Sequence, residues 1–315
     1  MSNPILSVKN LTKSFGKHIV INNVSFDVRQ GEVFGLLGPT DSGKSAILRA
    51  ISGALIPNNG EIMVNDYTFS KDYEKAVADI NGYIKLPKLY RYMTGIQNMR
   101  LITQLRGKYS DEILRNCANI TNIGHLLDDK VAKYTLAEKH LLCIASAIAT
   151  NPKLVILDDP FVGLNAKELK QLQDLIKLLS DKYRIAFVLS SQMLGQMEKV
   201  CDTIAIVNHG SILEIRNMQS LLLDAQKDQK LAITVDYPNF AGKIVINEFN
   251  LKVQLCGNKI LVYTPEFNKD KILQRLANYR ISVFGVKVIS KSLEQLLEEV
   301  LQQKAMNKSW VEEYS

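Results

Sequence analysis

The chain has 315 residues, 46% of them apolar and 23% charged, which suits one large folded domain plus a smaller one and excludes a mainly disordered protein. Its net charge of +7 is compatible with nucleic acid or an anionic membrane face, but the basic residues are scattered rather than striped, as on a solvated surface. The four cysteines, Cys117, Cys143, Cys201 and Cys256, lie far apart without C-x-x-C spacing, so neither a zinc site nor a disulfide framework is expected and a reducing cytosol is the default.

Short strands are predicted at residues 5–8, 24–28 and 33–37, with a turn at Gln30-Gly31. No secretory leader pattern opens the sequence, and its longest apolar run, residues 141–149, is too short for a bilayer span. The third strand runs into Gly38-Pro39-Thr40-Asp41-Ser42-Gly43-Lys44-Ser45, which fits G-x-x-x-x-G-K-[ST] at every fixed position. Ala46 opens a helix-forming run directly after it. Strand, glycine loop and helix are what polyphosphate binding needs: successive backbone amides wrap the phosphates, Lys44 adds a point charge, and Ser45 ligates Mg2+.

Pro57-Asn58-Asn59-Gly60 turns the chain into a strand at 61–64. Residues 95–150 read as mainly helical, with a capping box at Thr94-x-x-Gln97 and a second helix start at Ser110. A buried strand over 153–159 ends in Asp158-Asp159. An amphipathic helix follows, carrying Leu169, Leu172, Leu175, Ile176 and Leu179, with Asn165-x-x-Glu168 as its capping box. Two more core strands are predicted at 185–190 and 203–207. Residues 224–230 are polar and read as a linker. Beyond them come a hairpin around Gly257-Asn258, a helix near 269–277, a strand near 283–289 and a last helix opened by Ser292. Together these make a small α+β domain.

The phosphate loop, the helical insert and Leu154-Val155-Ile156-Leu157-Asp158-Asp159-Pro160, in this order and spacing, resemble the ATP-binding cassette subunit of ABC transporters. The tail resembles the small C-terminal domain of some bacterial exporter cassettes, including bacitracin and lantibiotic resistance types. The resemblance implies an α/β P-loop NTPase over residues 1–223, with a RecA-like core, an antiparallel β subdomain and a helical subdomain at about 86–152. A C-terminal α+β domain would cover 231–315. It also implies ATP and Mg2+ as cofactors, an integral-membrane transporter subunit and a second cassette as partners, and a cytoplasmic location at the inner face of the plasma membrane. Nucleic acid is not an expected partner.

By the same resemblance, Phe15 before Gly16 is either an adenine-stacking ring or a core residue. Asp158 holds Mg2+ directly or through water. Several positions depart from the family pattern. Asp159 replaces the catalytic glutamate, retreating by about 1.5 Å, and a misplacement near 1 Å can cost about a hundredfold in rate. Gln192 stands for a histidine and cannot carry charge near neutral pH. The signature motif, which caps the partner cassette's ATP, reads Thr135-Leu136-Ala137-Glu138: Thr135 adds a methyl, Ala137 a Cβ and Glu138 a negative charge. Lys85 sits where a Mg2+-sensing glutamine or glutamate is expected, and a cation cannot ligate the ion. Asn165 replaces an aspartate, though its capping role alone would account for it. Asp41 replaces glycine and brings a carboxylate to the phosphates, weakening affinity.

Three readings follow: a slow energy-coupling cassette, a regulatory cassette paired with an intact subunit, and a non-transport cassette acting on ribosomes or DNA. In each, the fold is expected to be kept and hydrolysis to be weak.

Overall fold

The computed structural model describes residues 3–85, 88–104, 106–107, 109–227, 230–264 and 268–289. They divide into two units, one ending at Met218 and the other beginning at Gln219.

In the first unit β1 (Leu6–Phe15) and β2 (His18–Val28) form an antiparallel hairpin. The chain then enters β3 (Val33–Leu37), whose five residues are all buried, as in a strand covered on both faces. After the phosphate loop come α1 (Lys44–Ile51), β4 (Asn59–Val64), β5 (Tyr67–Thr68), α2 (Tyr73–Ala78) and β6 (Ile80–Tyr83). The helical segment contributes α3 (Gly95–Gln104), α4 (Asp111–Ile120) and α5 (Leu136–Ile148). The chain returns through β7 (Leu154–Leu157), α6 (Ala166–Tyr183), β8 (Ala186–Ser191), α7 (Leu194–Met197), β9 (Thr203–Asn208) and β10 (Ser211–Asn217); α8 (Met218–Lys227) follows and, from Gln219 on, belongs to the second unit.

Two sheets result. One is antiparallel, in the order β2-β1-β4-β5, and the other runs β10-β9-β3-β8-β7-β6, parallel from β9 to β6. Helix α1 gives Ile47, Leu48 and Ile51 to a core shared with Leu6, Val24, Phe34 and Val188 of both sheets. Full burial of each such side chain contributes about 1.5–3 kcal/mol. Helices α3 to α5 have a core of their own, built on Met99, Leu114, Ala118, Leu142 and Ala145. The capping boxes expected at Thr94 and Asn165 are both formed, and Ser110 accepts from the Ile113 amide.

The second unit runs β11 (Lys230–Val235), α9 (Pro238–Phe249), β12 (Val253–Cys256), β13 (Lys259–Tyr263), α10 (Lys269–Asn278) and β14 (Val283–Ile289). Its sheet is wholly antiparallel in the order β12-β13-β11-β14, the ferredoxin-like βαββαβ arrangement. Leu231, Ile233, Val245, Ile260, Val262, Ile272 and Leu276 form its core.

One expectation is corrected here. The polar run at 224–230 is not an open linker, because α8 continues to Lys227 and β11 starts at Lys230. Met218 and Leu221, both buried and three residues apart, anchor the first turn, and propagation then carries the polar residues along. The strand β10 and the helix α9 were not anticipated. The helix expected to open at Ser292 lies outside the described residues.

Candidate nucleotide-binding site

The loop between β3 and α1 is shaped by two close approaches. A Cβ on Gly38 would lie 2.2 Å from the Val207 carbonyl oxygen. One on Gly43, whose φ is 101°, would lie 2.8 Å from that of Val20. Only glycine fits at either place. Asp41 also takes a left-handed backbone, φ 60°, which aspartate tolerates better than most residues. The Gly38 amide is fixed by the Ser191 carbonyl at 3.2 Å.

Helix α1 begins with Gly43 as its N-cap, no side-chain cap and no acidic residue in the first turn. Its leading amides and positive dipole end therefore lack an internal anion. They face a cavity of about 390 Å3 lined by Asp41, Ser42, Gly43, Lys44, Ser45 and Ala46 together with His18, Val20 and Gly210. Lys44 is nearly buried, its Nζ donating to the carbonyls of Gly38 and Pro39 at 2.8 and 2.7 Å and to Ser42 Oγ at 3.2 Å. Burial holds its ammonium below the ordinary lysine range, opposed by the charges of Asp159, Asp158 and Asp41.

Strand order β3-β8-β7 sets the acidic pair beside this loop. Asp158 is buried, its amide donating to the Tyr83 carbonyl at 3.1 Å and its Oδ1 accepting from Ser190 Oγ at 2.5 Å. Asp159 follows in a left-handed conformation, φ 46°, and its amide donates to the same Ser190 Oγ at 2.7 Å. Its Oδ1 is buried with no hydrogen-bond partner. Burial, and then the charge of Asp158, raise its carboxyl above the usual range, with Lys44 acting against them.

A family model described as ABC transporter matches residues 21–162. The ABC transporter ATP-binding protein YdbJ of Bacillus subtilis (strain 168) is 30% identical over 295 residues, which cover 93% of this chain and 94% of that protein. The chain belongs to the ABC transporter ATP-binding proteins. The bacitracin transport ATP-binding protein BcrA of Bacillus licheniformis is 28% identical over 210 residues, 67% of this chain and 69% of its own length. Among solved structures, a nucleotide-free ATP-binding cassette from an ABC transporter matches with a TM-score of 0.64 at 22% identity, covering 70% of this chain and 95% of that one. This last likeness supports the P-loop NTPase fold.

ATP with Mg2+ is the cofactor of ABC cassettes, and the residues present fit it. The glycine cradle, the uncapped helix start and the Lys44 ammonium suit a polyphosphate. Ser45 lines the cavity, and Asp158 Oδ2 accepts no hydrogen bond among the described residues. No group of three or more His, Cys, Asp or Glu that could hold a metal occurs among the described residues. The residues that would hold Mg2+ are Ser45 and Asp158, with water and the phosphates supplying the remaining oxygens. When bound, it neutralises charge on the terminal phosphates.

Phe15 is 57% exposed at the end of β1, so the core alternative is excluded. It pairs with His18, whose side of the hairpin lines the cavity, and Lys13 Nζ lies 5.2 Å from its ring centre. Gln192 lies just beyond β8, and its Oε1 accepts from Thr40 Oγ1 at 3.1 Å, leaving its amide hydrogens to donate. Lys85 is exposed just after β6 with φ 63°.

Thr135, Leu136, Ala137 and Glu138 line no wall of this cavity; they form the start of α5. Glu138 Oε2 turns back to the Thr135 amide at 2.7 Å, while Thr135 Oγ1 accepts from the Glu138 amide at 3.2 Å. The carboxylate is thus directed into a capping box, for which T-x-x-E is the sequence signal. Ser190, His209 and Gly210 escaped sequence reasoning. No motif marks them, and only the strand order brings them to the loop.

Proposed function

We propose that this chain binds ATP with Mg2+ as the nucleotide-binding subunit of a transporter and drives or gates an integral-membrane partner while hydrolysing slowly. A second cassette, identical or different, would complete each site, and the complex would sit at the inner face of the plasma membrane. One observation carries the reading. The phosphate cradle is fully built, while beside it Asp159, the residue in the place of the water-activating glutamate, holds a buried oxygen without a partner. Binding residues are retained and the hydrolytic ones are weakened. No described helix is long and apolar enough to cross a membrane.

A second reading, a cassette that holds nucleotide while an intact subunit turns it over, is favoured by the engagement of Gln192 with Thr40. Turnover separates the two. Phosphate release by the purified chain, alone and with a co-purified cassette and membrane subunit, is expected to be slow alone and to rise with the complex. Brisk release by the isolated chain would overturn the proposal of weakened chemistry. Tight ATP binding with no turnover in any complex would favour the second reading. We expect Asp159→Glu alone to raise turnover less than about tenfold, because Gln192 and the signature remain altered. A rate typical of intact cassettes from that single change would show the other departures to be neutral.

A further inference from the structure

At the end of β8 one hydroxyl serves both members of the acidic pair. Ser190 is fully buried; its Oγ donates to Asp158 Oδ1 at 2.5 Å and accepts from the Asp159 amide at 2.7 Å. A hydroxyl has one proton, so its donor is committed to Asp158 and a lone pair to Asp159. The position is mechanically significant. The register of β7 with β8 ends at Leu157 opposite Leu189, so the acidic pair lies beyond the ladder. Asp158 is held there by the Tyr83 carbonyl on one side and Ser190 on the other. The next residue of β8, Ser191, binds the Gly38 amide, and Gln192 meets Thr40. The end of β8 therefore joins the acidic pair to the phosphate loop.

We propose that Ser190 is a positioning residue for the Mg2+ site: by engaging Asp158 Oδ1 it orients the carboxylate so that Oδ2 is the oxygen offered to the ion or its water. The proposal rests on the reading of Asp158 as the metal-side acid. The physical reason is that Mg2+ demands near-ideal octahedral geometry and tolerates a swinging carboxylate poorly. Removing a hydrogen-bond partner of a metal ligand typically costs 10–100-fold in metal affinity. Ser190 also supports the left-handed backbone of Asp159, a conformation that is unfavourable for a residue with a Cβ.

The test uses the full chain and calorimetric ATP titrations, in EDTA and over a range of Mg2+ concentrations. In EDTA, Ser190→Ala is expected to bind ATP within about twofold of wild type. The Mg2+ concentration at half effect is expected to rise about tenfold. In an Asp158→Ala background, Ser190→Ala is expected to leave the Mg2+ dependence of ATP binding where Asp158→Ala put it. Ser190→Cys keeps the volume with a weaker donor, and is read by the same comparison should Ser190→Ala fail to fold. Equal weakening with and without Mg2+ would mean a merely structural role and overturn the proposal. So would an unmoved Mg2+ midpoint. Wild-type protein whose ATP affinity ignores Mg2+ would overturn the reading of the metal site, and this inference with it.

Discussion

Asp41 shows how a tolerated backbone can still carry an electrostatic cost. Its φ of 60° suits glycine equally well, so Asp41→Gly removes charge without imposing strain. A carboxylate about 5 Å from a phosphate, at an effective dielectric near 20, costs on the order of 3 kcal/mol before screening. Mg2+ and salt reduce this, and we expect Asp41→Gly to tighten ATP binding about three- to tenfold, ~1 kcal/mol. Equal affinities in nucleotide titrations would remove the argument. The sequence placed the charge correctly on the loop. It gave no sign that the Asp41 charge also favours the Lys44 ammonium, alongside those of Asp159 and Asp158.

Helix α5 is the element in which sequence and structure differ most in emphasis. Read by resemblance, its first turn is a degraded contact for another subunit. In the structure it is also a well-made helix start, with a reciprocal Thr135–Glu138 capping box. We expect Thr135→Ala to lower stability by about 1 kcal/mol, measurable as an earlier urea midpoint. Further along α5, the buried His140 Nδ1 meets Tyr83 Oη at 2.5 Å, tying the helix to β6. Burial lowers the His140 pKa from 6.5 to about 4. Between those values the unfolded chain takes up a proton that the folded chain refuses. Stability present above about pH 6.5 is therefore lost as pH falls toward 4, by about 3 kcal/mol at most. His140→Gln is expected to flatten that part of the pH–stability curve, and an unchanged slope would contradict the assignment. Neither the pairing nor the shift could be read locally, since Tyr83 and His140 are 57 residues apart.

At the level of the whole chain, the two units have separate apolar cores. The cavity proposed for nucleotide is lined by residues of the first unit, and ligand binding stabilises what it binds by mass action. Scanning calorimetry is expected to give two transitions, of which Mg-ATP shifts one upward and leaves the other in place. A joint shift of both would show that the units unfold as one. The boundary region was the hardest part to anticipate. Polar composition suggested a linker at 224–230, but composition does not distinguish a free chain from a helix extended by an apolar anchor one turn earlier.

What the sequence determined by itself is everything carried by short spacing. The phosphate loop, the capping boxes at Thr94 and Asn165, the hairpin at Gly257 and the strand at 283–289 each depend on residues within a few positions of one another, and local sterics and hydrogen bonding suffice to specify them. Tertiary structure alone decided which residues meet around the loop. Ser190 reaches Asp158 across 32 positions, and Thr40 reaches Gln192 across 152. Those meetings depend on β8 inserting between β3 and β7, an order set by the crossovers of a parallel sheet rather than by any neighbouring residue.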